Sequence, residues 1–456
     1  MPLRFSRPSH NPDAGPPHPV DEVPRPARLT LLGLQHLAIM YAGAIAVPLL
    51  VGGALKLPQH TIGVLVNADL LVSGIITIVQ SVGIGRILGV RLPIVAGATF
   101  TVVSPMILIA QQFGGGEVGL PAVYGAILVS GVFGLIIARF FATVARFFPP
   151  LVSGCVICVI GLSLIGADAG LIAGNDVKSP EYGQISHIAL AGLVILLIVL
   201  LHRFTRGLIN QLAVLLSIVI GTIVAIPMGL VHLSAVGKAG WFGISQPFLF
   251  GAPQFHVAAI ISMCVVMLVT FTESTADIVA VAEMVDKPLA PGDLARGLAA
   301  DGLSGVLAGL MNSFPDTAFA ENVGLVELTG VRSRWVVSVC GVFLVILGLI
   351  PKVGSLVAAL PDPVVGGAAT VMFAMVTAVG LRILHKVEFE GTQNMLIIAV
   401  TLSVALLPSV APSFYTKFPT DFQMIAGSPI TSAVIVVFVL NLLFNHWRVG
   451  KETAPS

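Results

Sequence analysis

From about residue 30 to residue 445 the chain is a near-continuous succession of apolar runs, each about as long as an α-helix needs to cross a bilayer. That feature leaves few folds open, because backbone polar groups in lipid must be paired within the protein. Full spans are expected near 30–52, 62–83, 118–140, 147–167, 186–202, 208–229, 257–284, 294–312, 335–351, 355–380, 391–408 and 428–445. Two further stretches are apolar overall but broken. Pro93, Gly97 and Pro105 punctuate residues 94–112, and residues 314–334 carry Asp316, Glu321, Asn322, Glu327 and Thr329 behind Pro315. Irregular backbone at membrane depth survives only where protein or a wet cavity satisfies it. Each break is therefore read as a short extended piece running into a half-length helix, with an extended segment near 314–320 and a helix near 322–328.

With 56% hydrophobic and 10% charged residues and a mean hydropathy of +1.00, an ordinary soluble fold is excluded. Residues 1–29 are rich in Pro and Arg and have no apolar core, so they are expected to form a disordered tail rather than a cleavable signal. The four cysteines, Cys155, Cys158, Cys264 and Cys340, all fall in apolar segments, which argues against disulfides, and the CxxC of Cys155 and Cys158 has no partner to complete a zinc site.

Fourteen crossings put both termini on one side. Of the 23 basic residues, only Lys56, Lys178, Lys238, Lys352 and Lys417 then fall on the opposite side, which marks the side of the termini as cytoplasmic. Removing either broken crossing scrambles that alternation. A weak repeat relates the halves. Asn67-Ala68-Asp69 with Ser73-Gly74 echoes Ala300-Asp301 with Ser304-Gly305, and Pro150-Leu151-Val152-Ser153-Gly154 echoes Pro363-Val364-Val365-Gly366-Gly367. Seven crossings per half make the halves inverted, the arrangement in which two broken helices meet at the midplane.

A carboxylate in the membrane interior costs roughly 2.5–3.5 kcal/mol on insertion scales, so each one needs a reason. Glu273 and Asp277, in VTFTESTADIVAV, share one helix face, and no Lys or Arg is expected at their depth. Glu321 stands at the start of the second half-helix, where the dipole favours an anion; capping alone would explain an acid there. Asn322 is a natural cap able to tie the two broken segments together. Asp301 and His36 complete the polar set. Carboxylates facing a cavity call for a cation or a planar ligand with adjacent N–H groups, such as an oxidised purine or pyrimidine. Phe100 would offer a ring face, and Gly97, Ala98 and Thr99 bare backbone amides. There is no Walker loop, HExxH or Gly-x-Ser-x-Gly, so nucleotide hydrolysis and hydrolytic catalysis are unsupported and coupling to an ion gradient is left.

Glu321-Asn322-Val323-Gly324 followed by Thr329-Gly330 resembles the motif of the nucleobase-ascorbate transporter family: Gln, Glu or Pro, then Asn, any residue, Gly, four residues, Thr, and Arg, Lys or Gly. QHLAIMYAG at 35–43 and FTESTAD at 271–277 are similar to that family's first and eighth spans. The resemblance implies an all-α polytopic membrane protein with fourteen segments in two inverted seven-span repeats. Its core domain would comprise residues 30–143 and 257–352 and its gate domain residues 144–256 and 353–446, with tails at 1–29 and 447–456. It further implies a homodimer in the inner (plasma) membrane that uses a proton gradient and no cofactor and has no nucleic-acid partner. Carried over by position, Glu273 would grip the nucleobase ring and Glu321 its other edge, with Phe100, Ala98, Thr99, Phe319 and Ala320 lining the pocket. Asp277, Asp301, His36, Asn322 and Thr329 would form the supporting or proton-coupling network.

FTEST and the frame from Phe314 to Val326 look most like xanthine and uric acid permeases, although those usually carry Gln where this chain has Glu321 and the uracil branch often carries Glu. Urate and, in part, xanthine are anions near neutral pH, and placing one between two ionised carboxylates would cost several kcal/mol at a low effective dielectric. At least one of Glu273 and Glu321 should therefore be protonated in the loaded state, titrating as a coupled pair. The expected activity is proton symport of a purine nucleobase, with a uracil:proton symporter as the alternative. An inorganic anion exchanger of similar architecture is disfavoured by the same two acids.

Overall fold

In the computed structural model, residues 18–141, 148–174, 178–180, 182–390 and 392–446 are described. The apolar runs fold into helices as their length requires. In chain order the main elements are α1 (Pro26–Ala54), α2 (Gln59–Val82), β1 (Ala96–Ala98), α3 (Val103–Gln112), α4 (Leu120–Ile137), α5 (Pro150–Ser163), α6 (Ile165–Ala173), α7 (Ile185–Phe204) and α8 (Ala213–Ala225). There follow α9 (Val257–Met284), α10 (Pro291–Met311), β2 (Asp316–Ala318), α11 (Ala320–Thr329), α12 (Arg334–Gly348), α13 (Pro351–Val357), α14 (Asp362–Leu384), α15 (Asn394–Val410) and α16 (Pro429–Asn441). Among the described residues, nine helices are long and apolar enough to cross a membrane, or ten when the bent pair α12 and α13 is counted as one span. Leu196, Val199, Ile223 and Ile346 lie about half exposed on these helices, as contact with lipid tails rather than water would allow.

Several expected boundaries shift. The span at 355–380 instead belongs to two helices, since α13 turns off α12 by 86° at Pro351 and α14 begins only after Pro361. The expected domain boundary at 352/353 therefore falls inside α13, which packs on α2. The boundary at 143/144 and the start of the span at residue 147 lie outside the described residues. So do residues 1–17 of the first tail and the whole tail 447–456. From His18 onward the first tail is ordered, which corrects the expectation of disorder there. Val20 is buried, the Asp21 carboxylate pairs with Arg334 at 2.7 Å, Trp335 Nε1 donates to Asp21 O, and Ser333 Oγ donates to Glu22 O.

The helices sort into two packed groups. α1 and α2 lie against α12, α2 also against α10, and α4 against α9 and α10; separately, α14 packs on α5, α6 and α7, α16 on α5 and α15, and α8 on α7. Small residues permit the closest approach within the first group. At the crossing of α4 and α10, a Cβ on Gly302 would lie 2.5 Å from the backbone nitrogen of Leu135, and a Cβ on Gly131 2.3 Å from that of Val306. Because the atoms in the way are backbone, the helices would have to separate. Gly302→Ala is expected to destabilise the protein by about 1–3 kcal/mol, read as a lower melting temperature in detergent; an unchanged melting temperature would contradict this packing.

Candidate functional site

The two broken stretches meet. β1 and β2 pair antiparallel in the register Ala96↔Ala318, Gly97↔Thr317 and Ala98↔Asp316. Thr99 N donating to Pro315 O at 3.0 Å and Phe319 N donating to Val95 O at 2.9 Å continue the ladder at both ends. Neighbouring helices complete the satisfaction of this non-helical backbone. Thr77 Oγ1 accepts from Ala96 N and donates to Ala96 O, while Ser274 Oγ accepts from Ala318 N. Each strand then leads into a helix, through a short turn at Phe100–Val102 into α3 and directly into α11.

Between the two crossovers lies a cavity of about 140 Å³. That is well below the roughly 300–1,000 Å³ of pockets for drug-sized ligands, so it suits a small solute. Ala98, Thr99, Phe100, Glu273, Phe319, Ala320 and Glu321 all line it, joined by Asp277, Ala276, Thr317 and Ala318. The opposite wall is apolar: Ile157 and Ile160 of α5 and Val376, Val379 and Ile383 of α14. The Phe100 ring meets the Phe373 ring of α14 edge-on, with centroids 5.4 Å apart.

Glu273 is held from the first half-helix. Thr99 Oγ1 donates to its Oε2 at 3.0 Å and Thr101 Oγ1 to its Oε1 at 2.8 Å. An ionised carboxylate has about four lone-pair directions, so each oxygen keeps acceptor capacity for a ligand. Asp277 stands within electrostatic reach of Glu273, of Glu321 and of Arg382 on α14. Arg382 is exposed in the last turn of α14 and makes no ion pair with Asp277 among the described residues. Glu321 also borders a second, smaller hollow with Gly43, His202, Asn210 and Gln211.

The supporting residues divide. Asn322 Nδ2 donates to His36 O at 3.0 Å and lies 3.1 Å from His36 Nδ1, so Asn322 ties α11 to α1 rather than to the other broken segment. Asp301 is fully buried behind the cavity and accepts from Gln80 Nε2 at 3.1 Å. Thr329 does not join the group. It closes the far end of α11, donating to Leu325 O, about 12 Å along the axis from Glu321 at 1.5 Å per residue. Gly97 offers no bare surface to a ligand either, because the Phe319 ring and the Met40 methyl fill the space where its Cβ would be, 2.7 and 2.9 Å away. The Thr99 amide is likewise spent on Pro315 O.

Sequence reasoning missed Thr101, although its place two residues after Thr99 on a broken segment was a usable signal. The five apolar wall residues carry none, since Val and Ile are everywhere in these spans. Thr101→Val removes one donor from a buried carboxylate and is expected to cost about 1–3 kcal/mol. A melting temperature equal to the unmodified protein's would contradict the hydrogen bond.

A model described as the Permease family (Xan_ur_permease) matches residues 27–414. The chain is 39% identical over 439 residues to the uric acid transporter UacT of Escherichia coli (strain K12), covering 95% of this chain and 90% of that one. It is 40% identical over 421 residues to the xanthine permease of Bacillus subtilis (strain 168), covering 92% and 94%. Over 432 residues it is 40% identical to the nucleobase transporter PlUacP of Paenibacillus larvae, covering 95% and 98%. Among solved structures, the transmembrane domain of a cyanobacterium bicarbonate transporter, BicA, superposes with a TM-score of 0.59 at 14% identity, covering 92% of this chain and 98% of that one. The murine Solute Carrier 26 family member A9 anion transporter in its inward-facing state gives 0.63 at 13%, covering 93% and 69%. At such identities these two show the fold alone, a mostly helical inverted-repeat transporter architecture. The chain is a multi-pass membrane permease and not an enzyme, and it belongs to the nucleobase-ascorbate transporter family.

Proposed function

We propose that this protein imports a purine nucleobase, xanthine or uric acid, by proton symport across the inner (plasma) membrane, with fourteen crossings, both termini cytoplasmic, and a homodimeric assembly. The observation that carries the reading is the cavity between the two crossovers, where Glu273 and Glu321 share one small space with the Phe100 ring. A flat heterocycle fits that chemistry: its N–H edge donates to carboxylate oxygens while an aromatic ring covers a face. Relatives at 39–40% identity named for uric acid, xanthine and nucleobases support a purine, and the uracil alternative is set aside.

In this reading Glu273, fixed by Thr99 and Thr101, takes one edge of the base, and Glu321, at the positive end of α11, takes the other. Ala98 and Ala320 leave room for the ring to approach, and Phe319 braces the crossover. Asp277 brings a third acid to the same space. Three carboxylates and an anionic or electron-rich base cannot all carry full charge in so dry a site, so loading requires a proton. The packing of the helices into two groups supports treating residues 30–143 and 257–352, extended through Val357, as a core. Residues 144–256 and the remainder to 446 then form the gate across which the cavity opens and closes. The bicarbonate and anion transporters share the fold, but two glutamates facing the cavity would repel an inorganic anion.

In a permease-deficient cell, Glu273→Gln is expected to reduce labelled xanthine uptake at least a hundredfold at normal expression, with a protonophore abolishing accumulation by the unmodified protein. Retained uptake in the variant would refute the role of Glu273, and accumulation undiminished by the protonophore would refute proton coupling.

A further inference from the structure

Behind the strand pair, away from the cavity lining, three carboxyl groups converge. Asp316, in β2, is fully buried and accepts from Ser73 Oγ of α2 and Ser304 Oγ of α10, each at 2.8 Å. Those two serines belong to the segments that the internal repeat relates, as do Asp69 and Asp301, although the Asp-to-Ser spacing is four residues in the first half and three in the second. Asp69, one turn before Ser73 on α2, is 1% exposed, and neither of its carboxyl oxygens has a hydrogen-bond partner. It lies beside Asp316 and within reach of the buried Ser313 hydroxyl, which is a donor for it although the two make no regular hydrogen bond. Asp301 Oδ2 makes no regular hydrogen bond among the described residues, with the Ser274 hydroxyl near it.

The charges facing this group are known from each side. Asp316 faces Asp69 from the strand, and Tyr124 faces it from α4, its hydroxyl donating to Asn312 O. Asp301 faces Asp316 from the other flank and Glu273 beyond it. Among the described residues, no lysine or arginine offsets the charge of the three aspartates. Three ionised carboxylates in such a place would repel one another with nothing to offset the loss of water. A proton on Asp69, by contrast, gives that orphaned carboxyl a donor to aim at its neighbours.

We propose that Asp69, Asp316 and Asp301 form a second proton-binding site, buried in the core and outside the substrate cavity. The inference rests on the proton-symport reading above and extends it: the coupling proton resides in the interior of the core, and the base touches only the cavity carboxylates. Uptake at the site forms one carboxyl O–H bond and release breaks it, with no change in bonds elsewhere.

The test uses the full-length protein in proteoliposomes and two measurements with labelled xanthine: exchange against unlabelled xanthine with no gradient, and accumulation driven by an imposed pH gradient. Asp69→Asn is expected to keep exchange within about twofold of the unmodified protein and to lower gradient-driven accumulation at least tenfold, with Asp69→Glu restoring part of it. Undiminished accumulation in Asp69→Asn would overturn the proposal. Equal loss of exchange and accumulation in Asp69→Asn, unrelieved in Asp69→Glu, would also overturn it and assign Asp69 a structural role. Accumulation by the unmodified protein that follows a sodium gradient instead would overturn it by giving the site's charge to a metal ion. If the unmodified protein neither exchanges nor accumulates xanthine, the transport reading itself fails, and that result is visible before any variant is examined.

Discussion

The pairing of β1 with β2 is the constraint on which the rest depends. Six residues of extended backbone sit inside a bundle of membrane helices, where unpaired amides and carbonyls are expensive. Neither strand is tolerable alone. Each satisfies the other, and Thr77 and Ser274 supply partners from the helices alongside. Once the strands pair, the half-helices that follow them must start at the same level, and their first residues border one space. Glu273 then needs only a helix passing beside that crossing to reach Thr99 and Thr101.

The same crossing explains why polar residues unable to touch a ligand are present. Asp316 would be intolerable in lipid, yet Ser73 and Ser304 bring one hydroxyl to each of its oxygens from the two halves of the molecule. What looks in the sequence like a faint echo of Asp followed closely by Ser-Gly becomes, in space, two helices gripping one carboxylate. Phe319 fixes the other face of the strand. Its ring occupies the room left by Gly43 and Gly97, so a Cβ at either glycine would fall within 2.7 Å of ring carbons.

Much of this was legible beforehand because the membrane makes polarity costly. Glu273, Asp277 and Glu321 stand out against apolar surroundings, and all three line the cavity. Pro93, Gly97 and Pro315 mark the breaks for the same reason. The residues that were not legible fail that test of contrast. Ile157, Ile160, Val376, Val379 and Ile383 close the cavity, yet nothing separates them from the valines and isoleucines that merely face lipid. The helix that bears Arg382 runs to Leu384, past its expected end at residue 380, because nothing in the sequence marks that end. Thr329 was the opposite case, a motif residue whose place at the tip of α11 serves the turn that ends the helix.

The central claim is that acids are kept inside the membrane to hold a flat base between the two half-helices. The most direct test is an experimental structure of the protein with xanthine bound. The account predicts the base in the space between Thr99–Phe100 and Phe319–Glu321, with an N–H edge within hydrogen-bond distance of Glu273 and the Glu321 carboxyl on the other side. A base bound elsewhere, with Glu273 still engaged only by Thr99 and Thr101, would contradict it.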